Sequence, residues 1–178
     1  MKRAILWAAA AVALIAFTAV SVAPAAGAEV SSNPADFAFM KKADQINTAE
    51  IKLGKLAEQR AVSSAVTKFG ERMVSDHSQL NEELDAIAAK EEVKLPKQLD
   101  RDHEQLYDEL SKLNGVAFDH TYAKDMVAGH KKAIALFETE AKNGSNPDVK
   151  SWAEKSLPTL REHLELAKSA VKAVKDER

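Results

Sequence analysis

Four long stretches of this chain place an apolar residue every three or four positions, the spacing that lays side chains along one stripe of a helix. The first reads Phe39, Ala43, Ile46, Glu50, Leu53 and Ala57. The second reads Val62, Val66, Phe69, Met73, then Asp76 or His77, then Leu80, Leu84 and Ile87. The third reads Tyr122, Met126, His130, Ala133 and Phe137. The fourth reads Ala153, Leu157, Leu160, Leu164, Ala167 and Val171, with His163 flanking the stripe. A single-striped helix must bury that stripe against another element, and four of them close a bundle around one core. Between the stripes the chain is rich in Ala, Leu, Glu and Lys, which favour helix.

Punctuation places the ends of these segments. Asn33-Pro34 is an N-cap with proline at the first helical position, and Asp36 falls in the first turn. The first helix is predicted to run to about Ala61. Ser63-Ser64 caps a second that runs to about Lys90. After Leu95-Pro96 a shorter helix covers about Asp100 to Leu113 and ends at Asn114-Gly115. A long helix from about Val116 stops after Asn143 at Gly144. Asn146-Pro147-Asp148 repeats the cap-plus-proline start, and the last helix reaches about Lys175, with a kink expected near Pro158. Tight connections at 62–64 and 144–146 make two antiparallel hairpins. The longer stretch 91–115 can carry the chain along the bundle. The predicted fold is therefore all-α, a ferritin-like four-helix bundle with one extra short helix in the crossover between helices two and three.

The first 28 residues read differently. Lys2 and Arg3 precede an uncharged apolar run from Ala4 to Val22, and Ala26-Gly27-Ala28 supplies the small residues a signal peptidase recognises. This predicts a signal peptide over 1–28, cleavage after Ala28, and a periplasmic helical domain over 29–178. Lys-Arg is not a twin-arginine pair, so general secretion is expected. The chain has no cysteine, which excludes a lipoprotein anchor and any disulfide. Removing Lys2 and Arg3 from 25 basic residues leaves 23 against 27 acidic ones. That balance gives no electrostatic footprint for nucleic acid and no polybasic surface for anionic lipid. No later apolar run is long enough to span a membrane.

Each stripe is interrupted by an ionisable group, and a buried charge without a partner is costly. Glu50 lies 12 residues before the first turn and His77 15 after it, roughly 18 and 22 Å along the helices. His130 and His163 lie at roughly 22 and 27 Å from the second turn. Within each hairpin the groups match to about one turn. A short echo, Met73-x-x-x-His77 and Met126-x-x-x-His130, sets the same pair twice on one helix face. Glu50, Asp76, His77, His130 and His163 are thus candidate ligands for zinc, iron, manganese or copper, with Met73 and Met126 as thioethers or core filler. The di-iron signature Glu-x-x-His is missing: Val74, Val127 and Leu160 stand three positions before the histidines. A di-iron oxidase or ferroxidase is not expected. His103 and His120 read as surface or helix-end residues, and Asp119 and Asp125 as solvated or near-terminus charges. Neither a Gly-rich phosphate loop nor a nucleophile triad is visible.

Several runs, in order, carry a family resemblance. They are Ala49-Glu50-Ile51-Lys52-Leu53-Gly54-Lys55-Leu56-Ala57, Arg72-Met73-Val74-Ser75-Asp76-His77-Ser78, Phe118-Asp119 with Tyr122, Met126-Val127 with His130, Leu136-Phe137-Glu138, and Leu157-Pro158-Thr159-Leu160 with His163-Leu164. The chain resembles the bacterial family called domain of unknown function 4142 over essentially all of residues 29–178. The resemblance implies an exported protein with a ferritin-like fold, and no mechanism. Its members often carry an outer-membrane label. This chain has neither β-barrel strands nor a lipid anchor in its sequence, so the expected compartment is the periplasm. Two functions follow from the residues: a bundle that binds a transition metal, or an envelope structural or stress-related protein whose core groups satisfy one another and which acts through surface contacts. An enzyme acting on a small substrate would need a pocket.

Overall fold

Asn33 starts the first helix as its sequence requires: its side chain accepts the Ala35 amide at 3.0 Å, with Pro34 in the first turn. Asn146 does the same for the last helix, accepting the amides of Asp148 at 3.0 Å and Val149 at 3.1 Å. The computed structural model describes residues 33–176. The signal peptide expected over 1–28 and its cleavage site lie outside the described residues. The helices are α1 (Pro34–Arg60), α2 (Ser64–Lys90), α3 (Arg101–Ser111), α4 (Gly115–Asn143) and α5 (Pro147–Asp176). Among the described residues there is no strand, and no helix is long and apolar enough to cross a membrane. The bounds fall within two residues of those expected, because caps and prolines fix them. Gly115, at φ 60°, occupies a left-handed conformation open to a residue without Cβ and turns the chain from α3 into α4. α5 continues through Pro158.

The four long helices form a ring in the order α1, α2, α5, α4, and α3 lies against α1 and α4. Polar contacts fix the ends of that ring. Asp36, in the first turn of α1, accepts the Asn146 amide at 2.7 Å and so holds the α4–α5 turn. Asp119, early in α4, accepts the amides of Val62 at 3.2 Å and Ser63 at 2.8 Å and holds the α1–α2 turn. Lys90 pairs with Asp148, and Arg60 donates to Asn114. Residues 91–114 therefore run from one end of the bundle to the other, and neighbouring long helices are antiparallel. Asp44, buried on α1, anchors this crossover by accepting the Lys97 amide at 2.8 Å.

Several expected seam positions differ. Val62 is 67% exposed, because it belongs to the turn before α2 begins. Asp119 is buried, since it faces turn amides in the other hairpin; Ser63 itself makes no side-chain cap bond to α2. On α1, which packs on both α2 and α4, Asp44 and Asn47 are fully buried and Ile46 only half-buried. On α5 His163 is fully buried, with Leu164 half-buried beside it.

The apolar core is in two parts. One lies toward the α1–α2 turn and includes Leu53, Phe69, Met73, Phe118, Tyr122 and Met126. The other lies toward the α4–α5 turn and includes Phe39, Met40, Leu84, Phe137, Trp152 and Leu160. Between them lies a layer of buried polar side chains: Asn47, Glu50, His77, His130 and His163. Just beside this layer α1 and α2 touch backbone to backbone: a Cβ on Gly54 would stand 2.6 Å from the Gly70 carbonyl oxygen.

At the α4–α5 turn, Glu140 is buried next to Asp36, and burial together with that neighbouring carboxylate pushes its carboxyl up to about 7. A carboxyl raised in this way favours the fold when protonated. Its contribution is whole below the ordinary value of 4.5 and is lost as pH rises through about 7. Glu140→Gln is therefore expected to raise the thermal midpoint at pH 8 and to change it little at pH 4. Melts at the two pH values check this, and an equal effect at both would contradict the coupling.

Candidate metal centre

Three helices deliver one imidazole each to the polar layer: His77 from the middle of α2, His130 from α4 and His163 from α5. Their ring centroids are 5.2 Å apart for His77 and His163, 5.4 Å for His130 and His163, and 5.9 Å for His77 and His130. One ring nitrogen from each lies within 4.8 Å of one from each of the others. All three side chains are closed to solvent.

Each ring is fixed through one nitrogen. His77 Nδ1 lies 2.9 Å from Asn47 Oδ1 on α1. His130 Nδ1 lies 2.9 Å from the Met126 carbonyl one turn earlier on α4. His163 Nε2 lies 2.8 Å from Asp76 Oδ2 on α2, and Arg72 holds the same carboxylate. All three partners are acceptors, so in each case the ring nitrogen donates. The other nitrogen, Nε2 of His77, Nε2 of His130 and Nδ1 of His163, then carries a lone pair, and each is buried without a hydrogen-bond partner. A buried polar atom left in that state costs about 1–3 kcal/mol.

The electrostatics keep the lone pairs of His77 and His163 available. Burial, reinforced by His163 and His130, holds His77 well below the ordinary imidazole value. Burial lowers His163 to about 4 against the opposing Asp76 hydrogen bond, with His130 adding to the lowering. Burial pushes Asp76 up, but the hydrogen bonds from Arg72 and His163 outweigh it and its carboxyl is lowered. Burial raises Glu50, and His130 opposes it. An imidazole lowered in the fold supports stability while neutral. That support is present above the ordinary 6.5 and is lost as pH falls through about 4 for His163. Metal-free protein is expected to lose thermal midpoint steadily below pH 6.5, and His163→Asn to flatten the slope. A wild-type slope unchanged by that substitution would refute the assignment.

Of the five residues singled out from sequence, the fold brings His77, His130 and His163 into one cluster. Glu50 and Asp76 stand outside it. Glu50 Oε1 is 3.9 Å from His130 Nδ1, the anchored side of that ring, and its Oε2 is buried without a partner. Asp76, half-buried, works from behind by orienting His163. Met73 and Met126 are apolar core, though Met126 contributes its carbonyl. Asn47, which orients His77, is the residue sequence reasoning missed. The signal available for it was a polar side chain three positions before Glu50 on the same buried face.

A cleft of about 410 Å³ opens between α1, α3 and α4. Glu50 forms part of its wall, as do Ile46, His103, Leu106 and Gly129. His103 sits in the first turn of α3, its amide bonded to Asp100.

Comparison with known proteins gives one match. No curated protein and no solved structure matches the chain. The family described as a domain of unknown function, DUF4142, matches residues 21–170. That span takes in all four long helices up to Ala170, with every member of the histidine layer, and the chain belongs to the DUF4142 family.

Proposed function

We propose that this domain binds one first-row transition-metal ion in the middle of the bundle, through His77 Nε2, His130 Nε2 and His163 Nδ1. The observation that carries this reading is the set of three buried imidazoles, each anchored through one nitrogen and left with the other unpartnered. Metal-binding histidines characteristically donate their second nitrogen to a carboxylate, an amide oxygen or a backbone carbonyl, which fixes the tautomer. All three kinds of acceptor occur here. The donor set is nitrogen only, without thiolate or thioether in the cluster, which suits zinc, copper(II) or iron(II) over copper(I). Three protein ligands leave a coordination position open, unlike the closed four-ligand sets of purely structural zinc. At bonds of about 2.0–2.1 Å the three rings must draw together slightly around the ion.

In this reading the fold is the ferritin-like bundle, whose ring order, antiparallel neighbours and end-to-end crossover support it. The protein is exported by its signal peptide and works in the periplasm, holding or buffering the metal. The missing Glu-x-x-His pairs separate it from di-iron carboxylate bundles, which take four carboxylates and two histidines. The test is elemental analysis of protein purified from the periplasm without an affinity tag. One equivalent of a single metal is the expected result. Protein that is folded, metal-free and indifferent to added zinc, copper and iron would overturn the proposal.

A further inference from the structure

We propose that the cleft between α1, α3 and α4 is the path by which a hydrated divalent cation reaches the three histidines, with Glu50 passing it inward. This deepens the metal reading above and rests on it.

Glu50 is placed between two environments. On one side it walls the cleft; on the other its Oε1 lies 3.9 Å from His130. Its second oxygen, Oε2, has no hydrogen-bond partner, although the residue is only 6% exposed. Glu50 is not a fourth member of the histidine cluster, so a role as a resident ligand does not account for that oxygen. A carboxylate that lines a cleft with one edge and meets a buried imidazole layer with the other can take up a cation from the cleft, exchanging hydration water for its own oxygen. The wall opposite is kept thin: Gly129 has no side chain, and a Cβ there would stand 3.8 Å from Glu50 Oε1. Farther out, Asp102 and Asp125 add negative charge to the lining against Lys132 and Lys42, and the Lys42 cation is paired with Asp100.

A rival route begins at a second cleft of about 320 Å³ between α2 and α5. It reaches the layer only at Asp76, whose carboxylate is already shared between Arg72 and His163. That lining sets Arg72 and Lys155 against Asp76 and Glu83, whereas the first cleft sets Glu50, Asp102 and Asp125 against Lys42 and Lys132. Charge favours the Glu50 side.

The test follows Co2+ loading and release by stopped-flow absorption, using the mature chain and two variants. Ala128 is exposed and lines the cleft, so Ala128→Trp fills the path without entering the core. It is expected to slow loading and release by the same factor and to leave the dissociation constant where it was, as obstruction of a path must. Glu50→Gln keeps the shape and removes the charge. It is expected to slow loading by about tenfold or more, with release no faster than wild type. Circular dichroism checks that both variants are folded. Loading at the wild-type rate in both variants would overturn the proposal. So would a Glu50→Gln effect confined to faster release, which would make Glu50 a ligand. Absence of any cobalt spectrum in wild type would instead remove the metal reading, and this proposal with it.

Discussion

Replacing His77 with alanine is expected to reduce bound metal to about a tenth or less of the wild-type content, because a three-nitrogen site becomes a two-nitrogen site. His130→Ala and His163→Ala should do the same. The accompanying change in stability is the larger effect. At a free metal concentration of 100 times the dissociation constant, binding stabilises the wild-type fold by about 2.7 kcal/mol. For a domain near 150 residues that raises the thermal midpoint by roughly 5–11 °C. Each alanine variant should show no such rise. Without metal, His77→Ala leaves the Asn47 oxygen buried and unpaired, at a cost of about 1–3 kcal/mol. Asp76→Asn keeps all three imidazoles but replaces the charged partner of His163, and affinity should fall by about 10–100-fold. Metal titrations monitored by thermal melts check all of these. A wild-type midpoint that ignores metal, with alanine variants simply less stable, would mean the layer is a hydrogen-bonded core and nothing more.

Gly54→Ala is expected to be the most damaging single methyl added to the bundle. The new Cβ would meet the Gly70 carbonyl oxygen at 2.6 Å and Val74 Cγ2 at 2.9 Å. Backbone cannot yield as a long side chain does, so α1 and α2 must separate. The cost is about 3 kcal/mol, the upper end of ordinary overpacking, and the thermal midpoint falls by roughly 6–12 °C. Separation also strains the 2.9 Å contact between Asn47 and His77, which ties the same two helices, so metal affinity should fall with stability. Gly129→Ala is the control. Its Cβ finds only the ordinary 3.8 Å contact with Glu50, and the gain in helix propensity over glycine, about 1 kcal/mol, should make it neutral or stabilising. Denaturant melts of the two variants should therefore differ in sign or nearly so. Equal destabilisation by both would show that glycine flexibility, and not close approach, governs these positions.

The helices were legible in the sequence because their ends are chemical events: Asn33-Pro34, Asn114-Gly115 and Asn146-Pro147 each act within a few residues. The histidine interruptions were legible because a seam has a period, and a polar residue on the period stands out. What a one-helix period cannot contain is the partner. Asp119 read as a terminal charge because the amides it accepts belong to a turn more than fifty residues earlier. Asp76 entered the candidate set because it falls on the α2 seam beside His77, and its bond to His163, 87 positions away, is of the same long-range kind. The relative level of the two hairpins, which decides whether three histidines meet, is set by end contacts of this long-range kind. The cleft beside Glu50 depends on where α3 comes to rest, and the sequence fixes α3 as a helix without fixing its site.

The reciprocal arrangement of Asp36 and Asp119 bears on how the chain assembles. Each hairpin supplies the acceptor for the other's turn. An isolated hairpin therefore holds a carboxylate with no amides to receive and a turn with no carboxylate to satisfy it. Neither half satisfies its own turn, and docking the two satisfies both. Sliding one hairpin along the other by a single helical turn would leave both carboxylates buried and empty, at about 1–3 kcal/mol or more for each. Checks at the two extremities thus select one alignment in the centre, the alignment that levels the three imidazoles.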